Sequence, residues 1–319
     1  MVTISAVIPA YNSADFIAAA IDSILKQTHP VTEIIVVDDG SVDNTEQIVQ
    51  RFPDHVRYYK QANQGPSAAR NQGIKMACGE WIAFLDADDQ WTPEKIEKQL
   101  ATLAQYPALQ LIAGDMAEID DSNELLTPSV LAKHQLLQGF QALDGQPVAQ
   151  ALAALIRKNF IPTGTVLVKR DVVLAAGLFN ESIRFGEDLE LWAKIAAQHA
   201  ITCLPEILML RRLHGNNATQ LTGRMLTDLV KVMQSLRETI PAELTQQGLN
   251  PDLLVANSYA DLGYWYFTLN DYGKARSALR SSLQAAINRR AALYLLSAYL
   301  PPGLVAGIKS IKSAFIRNL

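Results

Sequence analysis

The chain of 319 residues predicts an α/β fold, a mostly parallel sheet flanked by helices over residues 1–220, followed by a small all-α region over residues 221–319. Short β-rich runs alternate with helix-spaced segments through the first part, the βαβα order of a parallel sheet. Polar clusters follow three of those runs, at the carboxyl ends where such sheets bind ligands. From about Leu221 onward the pattern is helical throughout.

The elements follow in order. Ser5–Pro9 is a short apolar run, closed by Tyr11-Asn12. Ala14–Gln27 has helical apolar spacing. Ile34–Asp38 is the second strand and ends in Asp38-Asp39-Gly40-Ser41. Helix Thr45–Phe52, strand Val56–Lys60 and helix Ser67–Ala77 come next. Trp81–Leu85 reads as a buried strand, Pro93–Gln105 as a helix and Leu109–Gly114 as a fifth strand. Residues 120–158 are Gln- and Leu-rich, with weak helical signals at Ser129–Gln138 and Pro147–Lys158. A strand at Thr165–Lys169 leads into a helix at Asp171–Ala176. Glu187–Ala197 is amphipathic through Leu189, Trp192, Ile195 and Ala196, and Leu208–Leu213 is a last strand.

Asp86-Ala87-Asp88-Asp89 directly follows a core strand. Three carboxylates there repel one another, and in an apolar interior each must neutralise or find a cation. A divalent metal resolves the conflict, because hard cations take carboxylate and phosphate oxygens together. The alternative is an acidic turn that solvates the strand end and caps the helix begun at Thr92-Pro93-Glu94.

The bulk numbers narrow the class. The chain is 49% apolar, enough for a sizeable core. Its net charge of −4 and pI near 5.8 speak against nucleic acid as a partner. Cys78 and Cys203 lie in apolar sequence and are expected as buried free thiols of a reducing cytosol. The first residues carry no basic leader, and no run of 18 apolar residues suggests a membrane span, so a cytoplasmic chain is expected. Residues 272–319 carry +8 and no acid, leaving −12 on residues 1–271. The two parts should meet different things.

The motifs Val7-Ile8-Pro9-Ala10-Tyr11-Asn12, Val36-Val37-Asp38-Asp39-Gly40-Ser41, Gly65-Pro66-Ser67-Ala68-Ala69-Arg70-Asn71-Gln72-Gly73 and Phe84-Leu85-Asp86-Ala87-Asp88-Asp89, in this order, resemble the family 2 glycosyltransferases with a GT-A fold. Gly186-Glu187-Asp188-Leu189-Glu190-Leu191-Trp192 is similar to that family's acidic catalytic motif, so the resemblance covers roughly residues 3–215. It implies an inverting sugar transfer from a nucleotide-sugar, most often a UDP-sugar, with Mn²⁺ or Mg²⁺. Carried over by motif, Pro9, Ala10, Tyr11, Asn12 and Asp39 would hold base and ribose, Arg70 would contact the nucleotide, and Asp86 and Ala87 would lie near the ribose. Asp88 would ligate the metal, and Asp188, beside Glu187, would be the general base. His214 resembles a residue that touches the diphosphate or metal, though a lone His is more often a structural hydrogen-bonder. Arg211 or Arg212 would offset diphosphate charge, with no choice between them. Phe160-Ile161-Pro162-Thr163-Gly164 either shapes the acceptor side or simply leads into the next strand.

The chemistry stands beside the resemblance. Breaking a sugar–phosphate bond builds charge on a diphosphate, which a cation on Asp88 neutralises. Tyr11 can stack on a flat base and Asp39 can accept from the uracil imide. Inversion in one displacement needs a base for the acceptor hydroxyl. A carboxylate at a helix start also serves as a plain cap, which is the competing reading of Glu187 and Asp188. A dinucleotide-binding dehydrogenase would carry Gly-x-Gly-x-x-Gly where Pro9-Ala10-Tyr11-Asn12 stands. A nucleotidyltransferase would carry a Gly-rich basic first loop. A non-catalytic scaffold acting through the C-terminal helices is the remaining alternative.

In the C-terminal region, Tyr259, Leu262, Gly263 and Tyr266, then Ala275 and Leu279, fit one tetratricopeptide-like hairpin. Leu293, Leu296 and Ser297 continue it poorly. One hairpin cannot bury its own face, so it should pack on the first domain or on a second copy, as in a homo-oligomer. Leu304, Ile308, Ile311 and Phe315 share a helical face bordered by Lys309, Lys312 and Arg317. Residues 304–319 therefore read either as a peripheral contact with the inner, anionic face of the cell membrane or as a docked last helix. Membrane contact would suit a lipid-linked rather than a free glycan acceptor.

Overall fold

The computed structural model describes residues 2–213 and 222–300. Contacts divide the chain into two compact units, Met1–Gln220 and Leu221–Leu319.

The first unit runs β1 (Ile4–Ala10), α1 (Ile17–Leu25), β2 (Glu33–Asp38), α2 (Thr45–Val49), β3 (Val56–Lys60), α3 (Pro66–Met76), β4 (Trp81–Phe84), β5 (Gln90–Trp91), α4 (Lys95–Gln105) and β6 (Leu109–Ile119). It continues with β7 (Leu125–Thr127), α5 (Val130–Lys133), α6 (Leu137–Leu143), α7 (Ala151–Arg157), β8 (Leu167–Lys169), α8 (Arg170–Ala175), α9 (Glu187–Gln198) and β9 (Ala200–Arg212). Among the described residues one nine-stranded sheet has the order β3-β2-β1-β4-β8-β6-β9-β5, with β7 on β6.

The first four strands are parallel, with Val7 opposite Ile35 on one side and Phe84 on the other. Every residue of β1 and β2 is buried, and both are mostly apolar, as strands covered on both faces are. Helix α3 lies close on β1, since a side chain at Gly73 would meet Val7 Cγ1 at 2.3 Å.

The simple parallel order stops at β4. Strand β8 is inserted between β4 and β6 and runs antiparallel to both. Strand β9 begins at Ala200, well before the expected Leu208, because register shifts near Gly114 and Asp115 let it follow β6 past Pro205-Glu206.

An aromatic cluster sits behind the sheet's carboxyl edge. Phe84 and Phe179 meet edge-on at 5.5 Å, and Trp192 of α9 packs at 5.6 Å from Phe179 and 6.2 Å from Phe84. This ties the middle of α9 to the end of β4.

Lys95 is fully buried at the start of α4. Its Nζ donates to Gln99 Oε1 at 2.9 Å and lies 4.2 Å from the Trp91 ring centre. Gln99 in turn donates to the carbonyls of Ile112 and Thr165, both at 2.8 Å. Burial pushes the Lys95 ammonium well below its usual range. The unfolded chain then binds one more proton between that lowered pKa and about 10.4, so stability rises with pH across this window by at most about 1.4 kcal/mol per pH unit. Lys95→Met should lose that alkaline rise. Urea unfolding from pH 7 to 10 measures it, and an unchanged slope would mean that Lys95 is not the titrating group.

Cys203 is buried as expected, whereas Cys78 is exposed. The apolar neighbours Met76 and Ala77 belong to the end of α3, and Cys78 turns out of it with its N–H on Glu33 Oε1.

The second unit comprises α10 (Thr222–Thr239), α11 (Pro241–Gln246), α12 (Pro251–Thr268), α13 (Tyr272–Ala285) and α14 (Arg289–Ser297). Asn250, Asp271 and Asn288 cap α12, α13 and α14 through their side chains. Helices α12 and α13 form the expected hairpin, and a side chain at Gly263 would strike Leu279 Cγ at 2.7 Å. Part of the hairpin's apolar surface is buried inside its own unit, while Tyr264 and Leu269 stay exposed. Leu262 and Ala278 cluster with Val230 of α10, and Phe267, Ala275 and Leu279 with Ala291 of α14 and the following Ala298. Leu293 and Leu296 stay 63% and 70% exposed. Residues 304–319 lie outside the described residues. No helix among those described is long and apolar enough to cross a membrane.

Candidate active site

The sheet's carboxyl edge gathers three loops. At the end of β1, Pro9 and Ala10 are buried within the strand, and the Ala10 carbonyl accepts Asp39 N–H at 2.8 Å. Tyr11 leaves the sheet and is 52% exposed. Asn12 laces this loop to the next, its N–H donating to Ser41 Oγ at 2.8 Å and its Oδ1 accepting Val42 N–H at 3.0 Å.

Buried Asp39 organises the lead into α3. Its Oδ1 accepts from Gln61 Nε2 at 2.8 Å and Gln64 N–H at 2.9 Å, and its Oδ2 from Gly65 N–H at 2.7 Å. Tyr11 and Asp39 thus flank one edge, an exposed ring beside a buried carboxylate.

Arg70 joins the motifs. The buried guanidinium donates from Nη2 to Asp86 Oδ1 at 2.7 Å and from Nη1 to Glu187 Oε1 at 3.1 Å. It lies 5.4 Å from the Phe179 ring centre. Burial alone would lower its pKa, but Asp86 and Glu187 outweigh that and keep it cationic. The next residue, Asn71, exchanges two 2.9 Å hydrogen bonds with the Phe179 backbone and donates to Glu181. Helix α3 therefore fixes the segment that leads into α9.

The acidic cluster divides its labour. Asp86 has a 38% exposed side chain held by Arg70, Ala87 is buried, and Asp88 is half-buried. Asp89 turns inward and accepts Arg212 N–H at 2.9 Å. Burial, then the charges of Asp88 and Asp86, push its carboxyl well up. Asp88 lines a cavity of about 210 Å³ with Asp15, Phe16, Asn123 and Arg212.

The structure separates the two arginines. Arg212 is buried, donating to Asp120 O and Asn123 Oδ1, both at 2.7 Å, with its guanidinium 5.7 Å from the Phe16 ring centre. Arg211 is 27% exposed and sits 3.7 Å from Glu118. His214 lies outside the described residues.

Helix α9 is preceded by Gly186, whose φ of +86° favours glycine. Burial, then the Asp188 charge, raises Glu187 to about 7, against the pull of Arg70. Burial also raises Asp188, while Leu189 N–H on its Oδ1 at 2.7 Å, Arg70 and Asn159 hold it down. Glu190 is fully buried and paired with Lys194 at 2.5 Å.

Phe160 and Ile161 are buried, Gly164 packs against Met209, and Trp91 Nε1 donates to the Gly164 carbonyl at 2.8 Å. This segment is a packed lead into β8. Asn159, Asp15 and Asn123 are the site residues that the sequence did not single out. Asn159 had one usable signal, its place directly before the flagged Phe160–Gly164 segment.

A metal test follows from the donor set. Among the described residues no group of three or more His, Cys, Asp or Glu side chains could hold an ion. An ion held at Asp88 would therefore need most of its ligands from outside these side chains.

Residues 5–161 match the family described as Glycosyl transferase family 2. An uncharacterized glycosyltransferase of Rickettsia typhi is 32% identical over 218 residues, covering 68% of this chain and 65% of that one. One of Nostoc is 30% identical, covering 80% of this chain and 77% of its own. A Bacillus subtilis chain named as a candidate teichuronic acid biosynthesis glycosyltransferase, TuaG, is 37% identical over 128 residues, covering 37% of this chain and 50% of that one. The chain covers 34% of a further relative, from Rickettsia felis, and so spans only part of several relatives. Staphylococcus aureus TarS 1–349, solved in complex with UDP-GlcNAc, superposes with a TM-score of 0.68 at 20% identity over 90% of this chain and 82% of that one. The fold is that of the GT-A glycosyltransferases.

Proposed function

Because the chain belongs to glycosyltransferase family 2, we propose that it is an inverting transferase moving a sugar from a UDP-sugar to a hydroxyl of a glycan or lipid-linked acceptor. The observation that carries this reading is Arg70, which bridges the carboxylates of Asp86 and Glu187 and so brings a nucleotide edge and an acidic helix start to one place. The UDP-GlcNAc in the TarS structure and the teichuronic acid biosynthesis named for TuaG support the donor and acceptor classes.

Tyr11 stacks on the uracil and Asp39 accepts its imide N–H. Asp86 faces the ribose. Asp88 would hold Mn²⁺ or Mg²⁺ together with the diphosphate, where the ion neutralises the charge of the leaving group. Asp188 takes the proton of the acceptor hydroxyl while that oxygen attacks the anomeric carbon from the face opposite the diphosphate. The carbon–oxygen bond to the acceptor forms as the bond to the diphosphate breaks, and the electron pair leaves with UDP.

UDP with Mn²⁺ should raise the melting temperature more than GDP, CDP or ADP does. A ligand at 100 times its Kd adds about 2.7 kcal/mol. Asp88→Asn should abolish the increment that Mn²⁺ brings, since an amide is a poor ligand for a hard dication. A larger shift with GDP would overturn the nucleotide assignment, and an undiminished Mn²⁺ increment in Asp88→Asn the metal assignment.

A further inference from the structure

We propose that Asn159 is a positioning residue that holds the carboxylate of Asp188 in its proton-accepting orientation. The inference rests on the reading of Asp188 as the base. Asn159 stands between the end of α7 and the packed Phe160–Gly164 segment and is exposed. Its Nδ2 donates to Asp188 Oδ2 at 3.2 Å. Its Oδ1 accepts Ile161 N–H at 3.1 Å, which fixes which end of the amide faces Asp188. The anchor itself is rigid, because Phe160 and Ile161 are buried in the core.

The two oxygens of Asp188 are thereby distinguished. Oδ1 accepts Leu189 N–H at 2.7 Å along the helix start, and Oδ2 accepts from Asn159 across the site. A carboxylate held at both oxygens cannot swing about its last torsion, and both bonds favour the ionised form. The charged groups around it are Glu187 beside it on α9, Arg70 from α3, and Asp86 on the far side of Arg70. Asn159 is the neutral donor of the set. It steadies the base without adding a cation that would compete for the leaving diphosphate.

Substitution separates this role from a purely structural one. Asn159→Asp keeps an oxygen for Ile161 N–H but offers Asp188 no N–H and adds a like charge. Asn159→Ala loses both bonds. The rate of UDP release from the UDP-sugar that gives the largest thermal shift, with Mn²⁺ and water as acceptor, reports the base. Asn159→Ala should lose about 10-fold in kcat, with the acid limb of the pH profile about one unit higher. Asn159→Asp should be worse on both counts while melting near the wild type. In an Asp188→Asn background neither change should add a further loss. A wild-type acid limb in Asn159→Asp, with Asp188→Asn inactive, would overturn the positioning role alone. Turnover retained in Asp188→Asn would overturn both this role and the base it serves.

Discussion

Asp188→Asn is expected to lower transfer by about 10²–10⁴-fold, the usual contribution of a general base. The amide keeps the shape of the side chain and can still accept Leu189 N–H, which in the native chain lies 2.7 Å from Oδ1. It cannot take the acceptor proton. Donor affinity should stay near the wild type, because Tyr11, Asp39 and Asp88 belong to the loops after β1, β2 and β4 and not to α9. The product should have the anomeric configuration opposite to the donor's. Burial raises the Asp188 pKa, so the acid limb of the rate profile should lie above the ordinary aspartate range. Single-turnover rates, UDP titration and NMR of the product check these points. Near-normal turnover, or a retained configuration, would remove Asp188 from the role. Glu187 would then be the next candidate, since Glu190 is buried against Lys194.

The legibility of this molecule follows distance along the chain. Strands β1, β2 and β4 were readable because each is a mostly apolar run followed within a few residues by polar ones, and β3 by its β-rich Val56–Lys60 between two helical patterns. The inserted strand β8 was found, but its place between β4 and β6 was not. An antiparallel return of three residues carries no sequence signal for its neighbours. The early start of β9 was hidden by Pro205-Glu206, which reads as a break and is accommodated by register shifts. Within the site, the motif residues were individually visible, but their pairing was not. Arg70 meets Asp86 16 positions away and Glu187 117 positions away, and only the fold brings them together. Asp89 looked like a third equal member of the acidic cluster. Its inward turn toward Arg212 depends on a strand 123 positions later. The C-terminal hairpin was legible from its small and aromatic residues, whereas the helices that cover it carry no repeat signature.

Arg70→Met should destabilise the protein by about 3–5 kcal/mol at pH 8, the cost of removing one partner from a buried ion pair. Most of that comes from Glu187, whose side chain is 12% exposed, because the 38% exposed Asp86 is partly screened by water. The pH dependence identifies the partner. In the native chain Glu187 has a pKa raised to about 7 by burial and then by Asp188, against about 4.5 in the unfolded chain. The folded state therefore binds more protons between these values, and the contribution of Glu187 to stability falls as pH rises from about 4.5 to about 7. Without Arg70 the folded pKa climbs further, so the fall continues above pH 7 in the variant and stops there in the wild type. At pH 5 Glu187 is protonated in both folded proteins, and the variant should lose only packing and the Asp86 pair. The stability gap between the two should thus widen from pH 5 to pH 8.5 in urea unfolding. Arg70→Lys should fall between them, because a single ammonium lacks the fork that reaches both carboxylates. A gap that does not change with pH would show that Glu187 is not the group Arg70 holds, and would separate the acidic helix start from the nucleotide edge.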